Sequence, residues 1–276
     1  MLLYVKRKLI GMYLGNIILL ICICGLWGDT VYAKALPGEV RVVDSERQMI
    51  HELIKGMRQH RTYFAFYYEG IAADFKKYRK KSVSYQDLFD KIAKEDGYRM
   101  GIVSGSCVAI CGTEDKYVTF QFNYLTTKKQ EKKITKRVKR IVKKIGKGSR
   151  AVKIRRAHDY LIEYMKYDGR YYNPYYAFMK GRGMCMSYAL AFQRLMQEMK
   201  IPCLYVKGNN HAWNMVKLGK YWYNIDVTWD DSGRNRYRYF LKSDADFPGH
   251  KRPKSKLYKS LRKAKQSYKN TYLFKN

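Results

Sequence analysis

Gly183-Met184-Cys185-Met186-Ser187-Tyr188-Ala189, then Asn210-His211-Ala212-Trp213-Asn214, then Tyr221-Trp222-Tyr223-Asn224-Ile225-Asp226-Val227-Thr228-Trp229-Asp230-Asp231, place one cysteine, one histidine and one aspartate in an order that thiol chemistry can use. A thiol is mostly protonated at neutral pH and is then a weak nucleophile. A reactive cysteine therefore needs an imidazole beside it, and the imidazole needs a third group to fix its tautomer.

The surrounding pattern gives each residue a place. Gly183 and Met184 close a loop, and Tyr188, Phe192, Leu195, Met196 and Met199 then recur as the stripe of an amphipathic helix. Cys185 falls at the helix start, where unpaired backbone N–H groups and the positive dipole end favour a thiolate and can hold an oxyanion. Pro202 ends the helix, and 203–206 reads as a short strand. Two more strands are predicted at 211–218 and 221–228, joined by a tight turn at Gly219-Lys220. With Leu218 opposite Tyr221, Trp213 faces Asp226 and His211 faces Thr228. His211 and Asp226 become diagonal neighbours on one face, roughly 7 Å apart before their side chains reach toward each other. The other face carries Ala212, Val216, Leu218, Tyr221, Tyr223, Ile225 and Val227 and is expected to pack on a core.

These segments resemble the transglutaminase-like superfamily, in whose core a cysteine at a helix start is followed by a histidine and an aspartate on adjacent antiparallel strands. The likeness covers about residues 150–245, including Tyr239-Phe240-Leu241-Lys242-Ser243-Asp244, and three motifs in order are more specific than a lone Gly-x-Cys. The resemblance implies an α+β, papain-like/transglutaminase-like core with Cys185 as nucleophile, His211 as general base and acid, and Asp226 as the orienting carboxylate. It implies attack on amide bonds of proteins or peptides through a thioester, ending in acyl transfer or hydrolysis. A papain-like cysteine protease and a catalytically silent, wall-associated binding protein are the alternatives. Met186 and Ser187 stand where relatives often carry a polar residue and a glycine. Animal transglutaminases use a tryptophan upstream of the cysteine to hold the oxyanion, whereas this chain has none between Trp27 and Trp213. That donor falls to a backbone amide or to a tyrosine of 171–176.

Residues 1–35 have the layout of a bacterial secretory signal peptide: Lys6-Arg7-Lys8, an apolar run over 9–28, and small residues at Ala33 and Ala35. The run is also long enough for an uncleaved membrane anchor, since about 20 residues span a bilayer. Either way the rest of the chain is expected outside the cytoplasmic membrane. A net charge of +33 asks for anionic surroundings. An exported chain meets wall polymers or anionic lipid headgroups before nucleic acid; the alternative is that the lysines only solvate a tyrosine-rich body.

If Cys185 is free, the remaining candidate disulfide joins Cys107 and Cys111. On one continuous strand those residues lie about 13 Å apart, so a bridge requires a turn between them. Neither has a histidine nearby, and no metal or cofactor is expected. Cys203 reads as core.

Residues 36–126 read as a smaller α+β region, with helices at 45–57 and 84–94, the second capped by Ser84, and strands at 62–68, 101–110 and 117–124. The core, 127–250, opens on a lysine-rich helix with a capping box at Thr127 and Gln130 and an apolar stripe of Ile134, Val138, Ile141, Val142 and Ile145. The next helix carries His158 on its apolar face, which favours a hydrogen-bonded core histidine over a rival base. The loop 167–183 reads as a rim of the cleft. His51 and His250 have no partner motif. The basic tail, 251–276, has ten Lys plus Arg and no acid, and is either disordered or docked through Leu257, Tyr258, Leu261 and Tyr268.

Overall fold

A computed structural model describes residues 40–69, 85–111, 117–208 and 210–269. The leader at 1–35 and the Ser84 cap lie outside these residues. No helix among the described residues is long and apolar enough to cross a membrane.

The alternation of aromatic and polar residues that marks 63–68 and 117–124 builds the first sheet. Its strands are β1 (Val40–Val43), β2 (Tyr63–Tyr68), β3 (Val103–Cys111) and β4 (Tyr117–Tyr124), in the order β1-β2-β4-β3. β1 runs parallel to β2, and the other pairs are antiparallel. Helices α1 (Glu46–Arg58) and α2 (Gln86–Glu95) contribute Met49, Ile50, Leu53, Met57, Leu88 and Ile92 to a core with Phe64, Phe66, Phe120 and Phe122. The strand expected at 101–110 begins later, because Asp96 caps a helical turn, α3 (Gly97–Gly101), by accepting from the Arg99 amide. The β3–β4 ladder then runs in register from Gly105 to Cys111 with no turn between Cys107 and Cys111. The turn that a bridge between them would require is not part of this backbone ladder.

The second part is organised around α7 (Cys185–Glu198), which is buried on almost every side. Helices α4 (Lys128–Ile145), α5 (Arg150–Tyr164) and α6 (Pro174–Lys180) lie against it, as does the antiparallel sheet of β7 (Cys203–Lys207), β8 (Ala212–Leu218) and β9 (Tyr221–Ile225). The capping box of Thr127 and Gln130 opens α4. The β8–β9 register pairs Leu218 with Tyr221 and Asn214 with Ile225, with Gly219 at φ +60° in the turn. Two strands of two residues, β5 (Lys166–Tyr167) and β6 (Arg182–Gly183), bracket α6 in a loop that the sequence presented as irregular.

Two expectations for the second sheet are corrected. The strand expected to reach 228 ends at Ile225, since the Asp226 side chain accepts from the amides of Thr228 and Trp229 and starts a helix, α8 (Val227–Ser232). Asp226 and Thr228 therefore do not pair with β8. The face opposite the one expected to pack on a core is also buried: Trp213 and Met215 pack with Leu204, Val206, Phe247, Leu257 and Leu261. The C-terminal segment supplies that cover. Its helix α9 (Lys256–Ser260) docks Leu257, and Trp222 exchanges backbone hydrogen bonds with Arg262 and Ala264, which occupies the open edge of β9.

Buried carboxylates tie the two parts together. Asp96 accepts from Arg58 and Gln197, both at 2.7 Å, and Glu131 on α4 accepts from Tyr98, Arg99 and Thr126, each at 2.9 Å. Glu131→Ala should leave the Arg99 guanidinium without its carboxylate and cost about 3 kcal/mol. The check is the urea midpoint, with unchanged stability counting against Glu131 as the joint.

Candidate active site

Cys185 is the first residue of α7, and the local sequence explains how it is held there. Met184 donates its amide to the Tyr171 carbonyl, and the Ser187 hydroxyl donates to the same oxygen at 2.8 Å, so the rim loop is pinned to the first turn. Gly183 is required by closeness: a Cβ there would lie 2.3 Å from the Ser187 Cβ. The Tyr171 ring faces Tyr176, Arg170 and Lys180, so its carbonyl is what meets the helix start.

His211 sits just before β8, after Asn210, which takes the left-handed conformation at φ +56°. Its Nε2 donates to Asp226 Oδ2 at 2.6 Å, and its ring is hydrogen-bonded to the Cys185 side chain. The structure therefore brings Cys185, His211 and Asp226 into one chain of contacts, although Asp226 arrives as a helix cap and not as a strand residue. Cys185 itself is buried, 6% exposed. It packs with Ala189, Ala212, Met184, Met186 and Tyr205.

The electrostatics of the pair run in opposite directions. Burial pushes the Cys185 thiol up, but hydrogen bonding to His211 and to the amides of Ala212 and Met186 outweighs it, and the thiol lies below its ordinary range. Burial works against the His211 imidazolium, yet hydrogen bonds to Asp226 and Cys185 overcome it and push its pKa up to about 9. Both shifts favour thiolate beside imidazolium. Burial alone pushes the Cys203 thiol far up, and nothing comparable offsets it.

Asp226 has a fourth donor side that sequence reasoning missed. His250 Nε2 bonds the same Oδ2 at 2.8 Å, from a residue read as having no partner. The only signal was a histidine after Pro248-Gly249, and that carries no chemistry by itself. One ring nitrogen each of His211 and His250 and one carboxylate oxygen of Asp226 lie within 4.8 Å of one another, a set of types that can hold a metal ion. The Nε2 atoms of both histidines are hydrogen-bonded to Asp226 Oδ2. The other carboxylates of 226–231 also have separate partners. Asp230 Oδ2 meets His158 at 3.0 Å, and Asp231 accepts from Tyr188 at 2.5 Å. His158 is fully buried between Asp230 and Asp159; burial disfavours its charge, but those hydrogen bonds raise its pKa. It belongs to the core that anchors α8 and does not reach the thiol site.

Tyr205 on β7 was also missed. It packs against Cys185, and its buried hydroxyl has no hydrogen-bond partner among the described residues. A phenol in an apolar strand gives no sequence sign of which neighbour it will meet.

Residues 135–227, which hold Cys185, His211 and Asp226 and stop short of His250, match the family model described as the transglutaminase-like superfamily. Among solved structures, the chain is similar to one described as a TGase, with 13% identity, 71% of this chain and 54% of that chain covered, and a TM-score of 0.36. It is also similar to a candidate cysteine protease from Cytophaga hutchinsonii, with 16% identity, 41% and 53% covered, and a TM-score of 0.31. The chain thus spans about half the length of each. None of the curated proteins matches it.

The opposed shifts of the two cysteines predict selective labelling. Iodoacetamide should modify Cys185 with a midpoint below the ordinary thiol value of about 8.5, while Cys203 stays unlabelled at pH 8. Peptide mapping across pH reads both sites at once, and coincident profiles would contradict the assignment.

Proposed function

From a chain whose residues 135–227 are transglutaminase-like, we propose an exported thiol enzyme that acts on amide bonds of proteins or peptides through Cys185, His211 and Asp226. The observation that carries this reading is the continuous contact from thiol to imidazole to buried carboxylate, with the thiol shifted down and the imidazole up to about 9. In the proposed reaction the Cys185 thiolate attacks the amide carbonyl carbon and a C–S bond forms. The resulting oxyanion is within reach of the backbone amides that already point at the sulfur, those of Met186 and Ala212. The tetrahedral species collapses as the C–N bond breaks, and the His211 imidazolium gives its proton to the departing amine, leaving a thioester and a neutral imidazole. A second nucleophile then loses a proton to His211 and attacks the thioester. Water gives hydrolysis, and a primary amine gives acyl transfer.

Asp226 takes no proton in this scheme. It holds His211 by Nε2 and stabilises the imidazolium. Burial pushes its carboxyl up, but the hydrogen bonds from His211, His250 and the Trp229 amide overcome this, and the group lies below the usual carboxylate range. It therefore stays ionised at neutral pH.

Export rests on the layout of residues 1–35, and an anionic wall or membrane surface rests on charge. Helix α4 turns Lys132, Lys133, Lys136, Lys139, Arg140, Lys143 and Lys144 to solvent while Ile134, Val138 and Ile141 are buried. Such a face suits adsorption on a polyanion.

Two experiments test these parts. Cys185→Ala and His211→Ala should abolish turnover of a peptide amide, with or without an added primary amine. Asp226→Asn should retain activity lowered on the order of 10⁴-fold in kcat, since its role is to orient. Retained turnover in Cys185→Ala would end the mechanism. Binding to anionic vesicles should fall steeply with salt, as screening shortens to roughly 3 Å at 1 M. Charge reversal at Lys132, Lys136 and Lys139 should weaken it further, and salt-insensitive binding would contradict an electrostatic surface.

A further inference from the structure

The register of the second sheet sets Tyr205 into the thiol site. Strands β7 and β8 pair Tyr205 with Asn214 and Lys207 with Ala212. Tyr205 and Ala212 are therefore diagonal neighbours on one face, a separation that an aromatic side chain can span. That face lies on α7: Asn214 donates its side-chain amide to the Ala189 carbonyl at 3.0 Å, and Tyr205 packs with Cys185, Ala189 and Ala212. Tyr205 also packs with Tyr98, Ile102 and Leu190. Gly101 keeps that wall close, since a Cβ there would lie 2.6 Å from Leu190 Cδ2 and 3.5 Å from Tyr205 Cδ1.

The hydroxyl at the end of this ring is buried and has no hydrogen-bond partner among the described residues. An unpaired buried donor is unfavourable, so an acceptor that arrives beside it gains a bond with no existing one to break. Burial, then the charges of Cys185 and Tyr258, push the phenol far above its ordinary range, and it stays an O–H donor at neutral pH. The second cause also bears on position, because the hydroxyl is near enough to the sulfur to feel its charge. The other donors around the thiol are engaged with it: the His211 ring and the amides of Ala212 and Met186 bond Cys185 itself. The tyrosines at 171–176 have other neighbours. Tyr171 and Tyr176 pack on each other and under Lys180, Tyr175 faces Tyr176, and Tyr172 is 54% exposed.

We propose that the Tyr205 hydroxyl is a further catalytic group of this site, the side-chain donor to the oxyanion that forms when Cys185 attacks a carbonyl carbon. This role rests on the reading of Cys185 as the nucleophile. As the C–S bond forms, the carbonyl π pair moves onto oxygen, and the hydroxyl hydrogen-bonds that oxygen while keeping its own proton. On collapse the pair returns to make the thioester carbonyl, the C–N bond breaks, and the amine departs with the proton from His211. The phenol ends as it began. Its hydrogen bond is absent in the free protein and strongest at the charged oxygen, so it stabilises the transition state more than the bound ground state.

Two small reagents separate this role from packing. p-Nitrophenyl acetate transfers its acetyl group to the sulfur through an oxyanion and releases p-nitrophenolate. Iodoacetamide alkylates the same thiolate at a saturated carbon, with loss of iodide and no oxyanion. Tyr205→Phe keeps the ring and removes the donor. It should slow the p-nitrophenolate burst on the order of 10²-fold. The alkylation rate of Cys185 should stay at the wild-type value, and the melting temperature should hold or rise, because an unpaired polar group has gone. Tyr205→Met removes the same donor and serves if the Phe protein does not fold. A wild-type burst rate in the folded variant would overturn the proposal. So would acylation and alkylation slowed by the same factor, which would leave Tyr205 a packing residue only. A wild-type protein that gives no burst, or one that Cys185→Ala leaves unchanged, would overturn the thiol chemistry of the proposed function and this role with it.

Discussion

A carboxylate with no solvent exposure, Asp226, is the constraint that organises this molecule. An unpaired buried charge would cost several kcal/mol, so donors have to converge on it from wherever the chain can supply them. Two amides come from the helix it caps, one imidazole from the turn before β8, and one from the strap after Pro248. Meeting that demand brings together segments from 211 to 250 and leaves His211 facing Cys185. The arrangement that satisfies the carboxylate is therefore the same one that polarises the thiol.

The other acids of the same segment spread the constraint outward. Asp230 accepts from the Tyr239 amide and meets His158 on α5, while Asp231 accepts from Tyr188 on α7. Helix α8 has only six residues, too short for much stability of its own. It is held by three side-chain carboxylates that each serve a different neighbour. The position of Asp226 relative to α7 is thus set by contacts of α8 with both α5 and α7.

Much of this was legible in residue spacing. The helix beginning at Cys185, the β8–β9 register and the α4 capping box follow from short-range rules of periodicity, turn chemistry and N-cap preference, which act within a few residues. The strand expected through 228 shows where those rules compete. Val227, Thr228 and Trp229 favour a strand by composition, but one aspartate able to bond two amides ahead of it turns the chain into a helix.

By itself, the sequence determined the types and order of the cysteine, histidine and aspartate, the helix that begins at the thiol, and the hairpin that carries histidine toward aspartate. These are local matters, set by side-chain chemistry and by spacings of two to four residues. Only the tertiary structure decided that Cys185 is buried, that Trp213 and Met215 lie under a docked C-terminal segment, and that His250 shares Asp226 with His211. Those outcomes come from closing long loops around buried charge and apolar area. The contact between residues 226 and 250 depends on how the chain after Pro248 packs, and pairwise spacing along the chain carries no record of it.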